Sequence, residues 1–334
     1  MTLKAGAIRF NTDPMQMEIY DGNQWTGILA TSPELQTGGG RGVFFSGAPS
    51  NNAAIDFINI STIGNAEDFG DLSGYRVQGA AAGSRTRGLY VGGEAPSIVN
   101  TIEFITFSSQ GTDAQDFGDM VTNQYRRMNG MGCGNQTRGL FSGGWTGSTT
   151  SNHIDYVTIA QTGNSVDFGD LSVNRESGSC CASQTRGIIH GGRNQPANAA
   201  LDSIDYVTIS TLGDAADFGN LTDGRFAMQS CSNSIRGITF AGKVPSNSTI
   251  IDFITMATLG DSTDFGDTIG AMEYPLGAVA SPTRAVCGGG IVSPSNINTI
   301  QYVEIMSAGN TIDFGDLTGA KSEASGCSNS HGGL

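Results

Sequence analysis

The chain is poor in the residues on which most enzyme sites and nucleic-acid interfaces depend. Its 334 residues include only three histidines and two tryptophans, and 17 Lys and Arg are outnumbered by 31 Asp and Glu, for a net charge of −14. Because nucleic-acid binding requires basic residues that neutralise phosphates, this balance argues against a nucleic-acid partner. No apolar run approaches the roughly 20 residues of a membrane-spanning helix, so membrane insertion is not expected.

The cysteine patterns of metal and redox sites are also missing. None of the six cysteines belongs to a Cys-x-x-Cys pair,, and the adjacent Cys180 and Cys181 would form a strained disulfide. We therefore expect free, packed thiols and a reducing compartment. The first residues, MTLKAGAIRFNTDP, lack the basic and apolar regions of a secretory signal, so we expect the chain to fold in the cytoplasm,.

What the chain does contain is one repeated motif. Asp-Phe-Gly occurs six times, at spacings of 47 to 51 residues: Asp68-Phe69-Gly70, Asp116-Phe117-Gly118, Asp167-Phe168-Gly169, Asp217-Phe218-Gly219, Asp264-Phe265-Gly266 and Asp313-Phe314-Gly315. This period is typical of a four-stranded propeller blade. The sequence therefore predicts an all-β protein with a six-bladed β-propeller.

Each repeat predicts four strands. The second strand begins at a repeated arginine: Arg41, Arg87, Arg138, Arg186, Arg236 or Arg284. The third, such as IDYVTI from Ile154, is apolar on both faces, as a sheet packed between two others requires. The small-residue first strand is found only five times between repeats, and its sixth copy, Glu323–Ser330, ends the chain. We therefore expect the C-terminal strand to complete the first blade, which would remove open strand edges.

Residues 1–37 precede the propeller, which is predicted at 38–334. Here Ala7–Asn11 and Met17–Tyr20 have strand-like patterns, and Trp25 follows a turn. So small a β module cannot bury a core of its own. We expect its apolar residues to mediate attachment or oligomerisation, with packing against the propeller base as the alternative; they are Ile8, Phe10, Met17, Ile19 and Trp25.

The repeated residues favour structural roles. In Asp-Phe-Gly we expect the Phe to wedge between blades and the Gly to form an acidic turn whose aspartates accept N–H bonds or pair with the arginines. Repeated calcium binding is the alternative, although an Asp pair supplies too few ligands. The repeat arginines are expected to tie neighbouring blades together, with an anion-binding ring around the channel as the alternative.

No catalytic residue, metal site or cofactor is expected. The three histidines, His153, His190 and His331, fall at unrelated repeat positions, so no Ser/His/Asp constellation can be assembled from the repeats,. Catalysis also needs acid and base groups in different environments, whereas a motif present in every blade has six equivalent ones.

The loops after the second strand differ between repeats in length and sequence. They are rich in Ser, Asn and Pro and run over Ala48–Ala54, Glu94–Asn100, Trp145–His153, Arg193–Ser203, Lys243–Thr249 and Ile291–Asn298. A rigid scaffold with variable polar loops on one face suits recognition, and tolerated surface loops are the alternative.

Two resemblances extend this interpretation. The glycine pair after the second strand, the Ile-Asp-Tyr strands and a basic residue eight beyond the motif (Arg76, Arg175, Arg225, Lys321) resemble kelch-type propellers. The chain departs from them because each blade lacks the kelch Trp, and its first and fifth repeats read Gly47-Ala48 and Ala241-Gly242. The longer pattern RGLFSGG … IDYVTIAQTGNSVDFGDLS is similar to propeller repeats of tailed-bacteriophage virion proteins, particularly those of cyanophages, and GAIRFNTDPMQMEIYDGNQW is similar to a tail-fibre β module.

These resemblances imply a virion structural protein, assembled in the cytoplasm of a bacterial host. It would be part of a tail fibre or similar appendage, with other tail, neck or capsid proteins as partners, a host surface glycan or protein as a further partner, and a homotrimer as one oligomeric state. A head or neck decoration protein and a propeller glycan hydrolase are the alternatives. An intracellular kelch adaptor would bring a second interaction domain, for which the 37 upstream residues leave no room.

Overall fold

Every regular element of the described chain is a β-strand, as the alternating and β-branched segments predict,. The computed structural model describes residues 4, 6–11, 16–20, 22–27, 40–49, 53–94, 96–121, 130–195 and 197–334. The chain divides into two units, Met1–Gly38 and Gly39–Leu334.

The N-terminal unit contains one antiparallel sheet of three strands, Ile8–Asn11, Gln16–Tyr20 and Trp25–Gly27. Arg9 pairs with Glu18 at 2.8 Å, and its guanidinium lies 4.2 Å from the centre of the Trp25 ring. Ile8 is 59% and Ile19 37% exposed. Two of the five candidate attachment side chains are thus open to solvent within this unit.

The second unit contains six antiparallel sheets, which are the blades; each has four main strands, and the sheet of blade 5 has a fifth, short one. For blades 1 to 6, the innermost strands are Ser325–Ser328, Ala80–Gly83, Gly132–Gly134, Ser179–Ala182, Gln229–Ser232 and Gly277–Ala280. The second strands are Arg41–Phe45, Arg87–Val91, Arg138–Ser142, Arg186–His190, Arg236–Phe240 and Arg284–Val292. The third strands are Ala54–Asn59, Thr101–Thr106, His153–Thr158, Ser203–Thr208, Ser246–Thr255 and Ser295–Glu304. The outermost strands are Glu67–Asp71, Gln115–Asp119, Val166–Asp170, Ala216–Asn220, Thr263–Met272 and Ile312–Asp316.

Two short strand pairs accompany the blades. Arg193–Asn194 pairs with Ala199–Ala200, and Lys243–Val244 pairs with the start of the third strand of blade 5.

The C-terminal strand closes the ring. Ser325 lies opposite Phe45 and Ser328 opposite Gly42, in an antiparallel pair between the last strand of the chain and the first strand of the propeller. The prediction of a six-bladed propeller closed by its C-terminal strand is confirmed.

Apolar side chains fill the spaces between consecutive blades. Six buried clusters occupy the six interfaces, and each joins residues of two neighbouring blades. Between blades 1 and 2, for example, Phe69 and Leu72 pack with Tyr90 and Phe107. This explains why the third strands are apolar on both faces.

The blades define two faces. Because neighbouring strands are antiparallel, the turns from innermost to second strand and from third to outermost strand lie on one side, here the hairpin face. The loops from second to third strand, and the connections to the next blade, lie on the other side, here the loop face. The chain enters the propeller at Gly40 and Arg41, on the hairpin face.

A narrow cavity of about 40 Å³ runs along the propeller axis between the innermost strands. A cavity of this volume admits no more than a few water molecules. At the hairpin face the C-terminal tail crosses the opening, where His331 Nε2 lies 2.9 Å from Gly83 O and Gly332 N–H donates to Ser232 O at 2.7 Å. At the loop face Gln229 Nε2 reaches from blade 5 to Ala324 O at 3.0 Å.

All six cysteines are free and buried, as predicted. Four of them, Cys133, Cys181, Cys231 and Cys327, occupy the same position of four innermost strands. Burial raises the pKa of Cys287 to about 12, and burial is also the first cause of the raised pKa of Cys181 and Cys327. These thiols are therefore protonated and poorly nucleophilic.

Candidate functional sites: the repeat contacts and the loop face

Every blade contains the same column of three side chains. The repeat arginine lies over an aromatic ring of the third strand, 4.5–5.5 Å from its centre, and this ring meets the motif Phe at 5.8–6.1 Å and 75–81°. The six columns are Arg41–Phe57–Phe69, Arg87–Phe104–Phe117, Arg138–Tyr156–Phe168, Arg186–Tyr206–Phe218, Arg236–Phe253–Phe265 and Arg284–Tyr302–Phe314. Each motif Phe is at most 2% exposed. Cation–π and edge-to-face contacts thus hold three strands of each blade together.

The repeat arginines also reach the next blade. Each Nη1 donates to a backbone carbonyl at 2.6–3.2 Å: Arg41 to Phe107, Arg87 to Ile159, Arg138 to Ile209, Arg186 to Met256, Arg236 to Ile305 and Arg284 to Ile60. The sequence left two roles open for these arginines. Their bonds to the next blade favour a role in holding neighbouring blades together over an anion-binding ring.

The expectation that Asp-Phe-Gly forms a turn is wrong. In every blade the motif lies inside the outermost strand, and the pairing register shifts at Phe-Gly, which is a β-bulge,. The motif glycines have φ between +144° and +150°. A Cβ on Gly70 would lie 2.6 Å from Thr112 O of the next blade. Glycine is therefore required by the close approach of the neighbouring blade.

Where neighbouring blades approach, hydrogen bonds join the outermost strand of one blade to the next blade. Together these bonds encircle the outside of the propeller and are here called the belt. At the first interface Gly111 N donates to Phe69 O at 2.7 Å, Ala114 N to Asp71 O at 2.8 Å, and Asp71 N to Asp113 Oδ1 at 3.1 Å. The same three bonds recur at the other five interfaces. The outermost strands are thereby covered on the side where a bare edge would pair with another chain.

The side-chain acceptors of this belt were not predicted from the sequence, although the repeats contain a pattern that marks them. An Asp or Asn stands three residues before every motif Asp: Asn65, Asp113, Asn164, Asp214, Asp261 and Asn310. The side chains of the motif aspartates themselves are exposed. No group of three or more His, Cys, Asp or Glu among the described residues is placed to hold a metal ion, so the geometry gives the calcium alternative no support.

A second missed feature is a set of buried ion pairs at the blade junctions. The basic residues after the motif pair with an acid of the next blade's third strand: Arg76 with Glu103, Arg175 with Asp205 at 3.0 Å, Arg225 with Asp252 at 2.8 Å and Lys321 with Asp56 at 3.1 Å. Burial lowers the pKa of Arg175 and Arg225, and each carboxylate opposes that shift.

Blade 6 replaces this pair with neutral residues. Met272 stands where the other junctions have a cation, and Gln301 replaces the acid, with Nε2 3.9 Å from Met272 Sδ. The two positions thus change together between charged and neutral forms. The equivalent connection into blade 3 lies in residues 122–129, outside the described residues.

The histidines occupy three unrelated places. His153 lies 3.1 Å from Asp170 at the rim, and His331 lies in the C-terminal tail. His190 is fully buried, with Nδ1 2.5 Å from Thr239 Oγ1. Burial, and then Arg225 and Arg175, lower the pKa of His190 to about 3. Its imidazole is therefore neutral and closed to solvent, which suits packing.

On the loop face, neighbouring loops contact each other. Gln195 N donates to Thr150 Oγ1 at 3.3 Å between blades 3 and 4, and Asn247 Nδ2 to Ile291 O at 3.1 Å between blades 5 and 6. Asn296 Nδ2 donates to Ala48 O at 2.6 Å, between blades 6 and 1. In blade 6 the loop is a strand pair closed by Ser293 and Pro294. These contacts hold the loops in a defined arrangement.

The glycine pairs set the angle at which the loops leave the blades. The second glycine has φ between +96° and +120° in all six blades, and a Cβ on Gly93 would lie 2.6 Å from Val77 O. In blade 1 the residues equivalent to the glycine pair are Ser46-Gly47, and not Gly47-Ala48 as predicted from the sequence. Ser46 and Ala241 adopt positive φ without being glycine.

Large apolar residues are exposed mainly on the hairpin face. Ile63, Leu212, Ile235, Leu259 and Met306, all in turns of this face, are each 50–57% exposed. Within the N-terminal unit, Trp25 is half-buried, and the side chains of Phe10 and Met17 lie outside the described residues.

No family model and no curated protein matches this chain. Within the described residues, no helix is long and apolar enough to cross a lipid bilayer.

Proposed function

We propose that the protein is a structural component of a tailed-phage virion. Its kelch-like propeller would belong to a tail fibre or similar appendage and contact the host surface through the loop face. The observation that carries this proposal is the contrast between the repeated contacts of the six blades, here called the frame, and the variable loops on one face. Six blades repeat the same columns, belt and ties, while six loops of seven to eleven residues, each with its own sequence, occupy one face. A frame conserved from blade to blade with a varied face suits binding without catalysis.

Two further features support the proposal that the loop face contacts the host and that the hairpin face contacts the virion. The N-terminal segment joins the propeller at Gly40, on the hairpin face, so the loop face is the face opposite this attachment point. The exposed apolar side chains also concentrate on the hairpin face. Apolar surface of this kind suits contacts with other virion proteins.

The first experiment tests recognition. Residues 193–203, the longest loop, are exchanged for the shorter 243–249 loop, and adsorption of the purified protein to susceptible bacteria is measured. We expect the exchange to reduce adsorption while the melting temperature stays close to that of the parent. As a control, residues 61–65 of the hairpin face are exchanged for 210–214. Equal adsorption by the parent and both variants would refute recognition through this loop.

The second experiment tests attachment by the N-terminal unit. Residues 38–334 and the full chain are compared for melting temperature, oligomeric state and incorporation into phage particles, with the chain located by cryo-electron microscopy. We expect the shorter chain to stay folded and to lose incorporation. Normal incorporation would show instead that the virion contacts lie on the blades.

A further inference from the structure

Five connections between blades share a strained backbone position near the axis of the loop face. Among the described residues, eight that are not glycine have positive φ, and five of these stand two residues after the cation of the blade junction or its neutral counterpart Met272. Their φ lies between +50° and +60°, and they are Gln78, Ser177, Ala227, Tyr274 and Glu323. This conformation costs free energy for any residue with a side chain, and most for a bulky one. Because glycine occupies most other positive-φ positions of the described chain, the side chains retained here point to a function.

Backbone hydrogen bonds hold these residues side by side around the axial opening. Gln78 N–H donates to Glu323 O at 2.6 Å, and Glu323 N–H donates to Tyr274 O at 3.3 Å. Tyr274 N–H in turn donates to Ala227 O at 2.9 Å. The side chains of Gln78, Glu323 and Tyr274, which precede the innermost strands of blades 2, 1 and 6, are thereby brought together on the loop face.

Glu323 and Gln78 each have an oxygen that lacks a donor. Glu323 Oε2 accepts from Gln78 Nε2 at 2.8 Å, whereas Oε1 accepts no hydrogen bond from a described residue. Gln78 Oε1 is buried and also has no donor in the described part of the chain. A buried acceptor without a donor is unfavourable. These two neighbouring oxygens therefore suit a group that brings N–H donors.

The charge balance at this opening favours a cation. The basic residues around Tyr274 are already paired, since Arg193 Nε lies 2.8 Å from Glu176 Oε1 and Lys243 Nζ lies 2.9 Å from Glu273 Oε2. Glu323 is half-buried, and it forms no ion pair with a described residue. Its negative charge therefore remains unbalanced and attracts a positive group.

Two tyrosines lie close to the Glu323 carboxylate. Burial, followed by the charge of Glu323, raises the pKa of Tyr75. Burial is also the first cause of the raised pKa of Tyr274, which Arg193 opposes and Glu323, with two further carboxylates, reinforces. Both phenol groups are therefore near enough to respond to this carboxylate. Aromatic faces attract cations, so the rings add to the preference for a positive group.

We propose that the axial opening of the loop face, at Gln78, Glu323 and Tyr274, binds the ammonium group of a lysine side chain. An ammonium combines one positive charge with three N–H donors, which match the free carboxylate oxygen and the amide oxygen beside it. The methylene stem of lysine packs against aromatic rings while the charge reaches a polar partner. A guanidinium fits less well, because it favours both oxygens of a carboxylate and Oε2 already accepts from Gln78.

A lysine fits this opening better than a metal ion or an amino sugar. Within the described residues, no group of three or more His, Cys, Asp or Glu is placed to hold a metal. An amino sugar carries its ammonium on a ring among hydroxyl groups, without an apolar stem to lie between the tyrosines. The inference names a ligand class for the face assigned to host contact, and in that respect it rests on the proposed function. The partner it implies is a host surface protein with an exposed lysine.

Ligand-observed NMR on the full-length protein tests this binding. The probes are Nα-acetyl-L-lysine amide, its neutral counterpart Nα,Nε-diacetyl-L-lysine amide, and D-glucosamine. We expect saturable binding of the first in the millimolar range and binding at least about tenfold weaker for the diacetyl compound, a difference of about 1.4 kcal/mol. Absence of saturable binding by the lysine amide, equal binding of the diacetyl compound, or tighter binding of D-glucosamine would overturn the proposal. The measurement uses no bacteria, so its failure is distinct from a failure of the adsorption experiment.

Glu323→Gln locates the site. It removes the charge and keeps the length of the side chain and an oxygen that accepts from Gln78, so the lysine amide should bind at least about tenfold more weakly. Asp202→Asn makes the same change of charge at an exposed position of the blade 4 loop and should bind as the parent does. Both variants should keep the melting temperature of the parent. Undiminished binding by Glu323→Gln, or an equal loss in both variants, would show that the axial opening is not the site.

Discussion

At the scale of single residues, the motif Phe is the clearest target. Phe168 is 2% exposed and packs edge-on against Tyr156 in the cluster between blades 3 and 4. Removing a buried aromatic ring loses its burial and leaves a cavity, so we expect Phe168→Ala to lower the free energy of unfolding by about 3–5 kcal/mol. Chemical denaturation measures this change. Val166→Ala in the same strand, where the side chain is 51% exposed, should change stability by less than about 0.5 kcal/mol.

The motif aspartates give a prediction about metal removal. Their side chains are exposed, and the belt uses the backbone of the outermost strand together with the Asp or Asn of the next blade. We therefore expect an excess of chelator to leave the melting temperature unchanged. A large decrease, restored by added calcium, would contradict the structural role and favour calcium binding.

His190 predicts a dependence of stability on pH. Its pKa is about 3 in the folded chain, against 6.5 for the ordinary side chain. Between these values the unfolded chain takes up a proton and the folded chain does not. Below pH 6.5 the unfolding free energy should therefore fall by about 1.4 kcal/mol per pH unit from this residue alone. Denaturation at pH 7.0 and 5.0 measures the loss, which His190→Asn should reduce.

At the scale of strands and blade junctions, we expect that the neutral pair found at the junction into blade 6 can replace the charged pair of another junction. Arg225 bonds to Asp252 through Nη2, while its buried Nε and Nη1 have no partner among the described residues. Asp252→Gln should cost about 3–5 kcal/mol because it leaves a buried charge unpaired. Arg225→Met with Asp252→Gln recreates Met272 and Gln301 and should recover most of that stability. A double variant as unstable as the single one would show that the pair is not interchangeable.

The sequence predicted elements better than it predicted their contacts. Strand order, the two-sided third strand and the closing strand followed from periodicity and repeat count. Asp-Phe-Gly was assigned to a turn because its residue types favour turns. The glycine instead lies in a bulge beside the next blade's loop, and that neighbour is 41 to 45 residues away along the chain in blades 1 to 5,. Asp252 and the belt residues were missed for the same reason, since each has its partner in another repeat.

At the scale of the whole molecule, closure rests on the last strand. Deleting residues 321–334 removes the innermost strand of blade 1 and the Lys321 partner of the fully buried Asp56. Four residue pairs and one buried ion pair are lost, and a strand edge is exposed, so we expect aggregation or a much lower melting temperature. Thermal unfolding and light scattering measure this. Deleting only residues 331–334 should open the axial cavity and leave the ring folded, and equal stability of both deletions would refute closure by this strand.

The closing strand also sets how the propeller carries mechanical load. Residues 41 and 328 lie at the same end of an antiparallel pair. A force that separates the two chain ends would unzip this pair one hydrogen bond at a time. A force between the N-terminal segment and the opposite face instead pulls Arg41–Phe45 lengthwise between two flanking strands, so that the bonds on both sides are loaded together. We therefore expect the propeller to withstand a higher force when it is pulled through its N-terminal segment than when residues 41 and 328 are pulled apart.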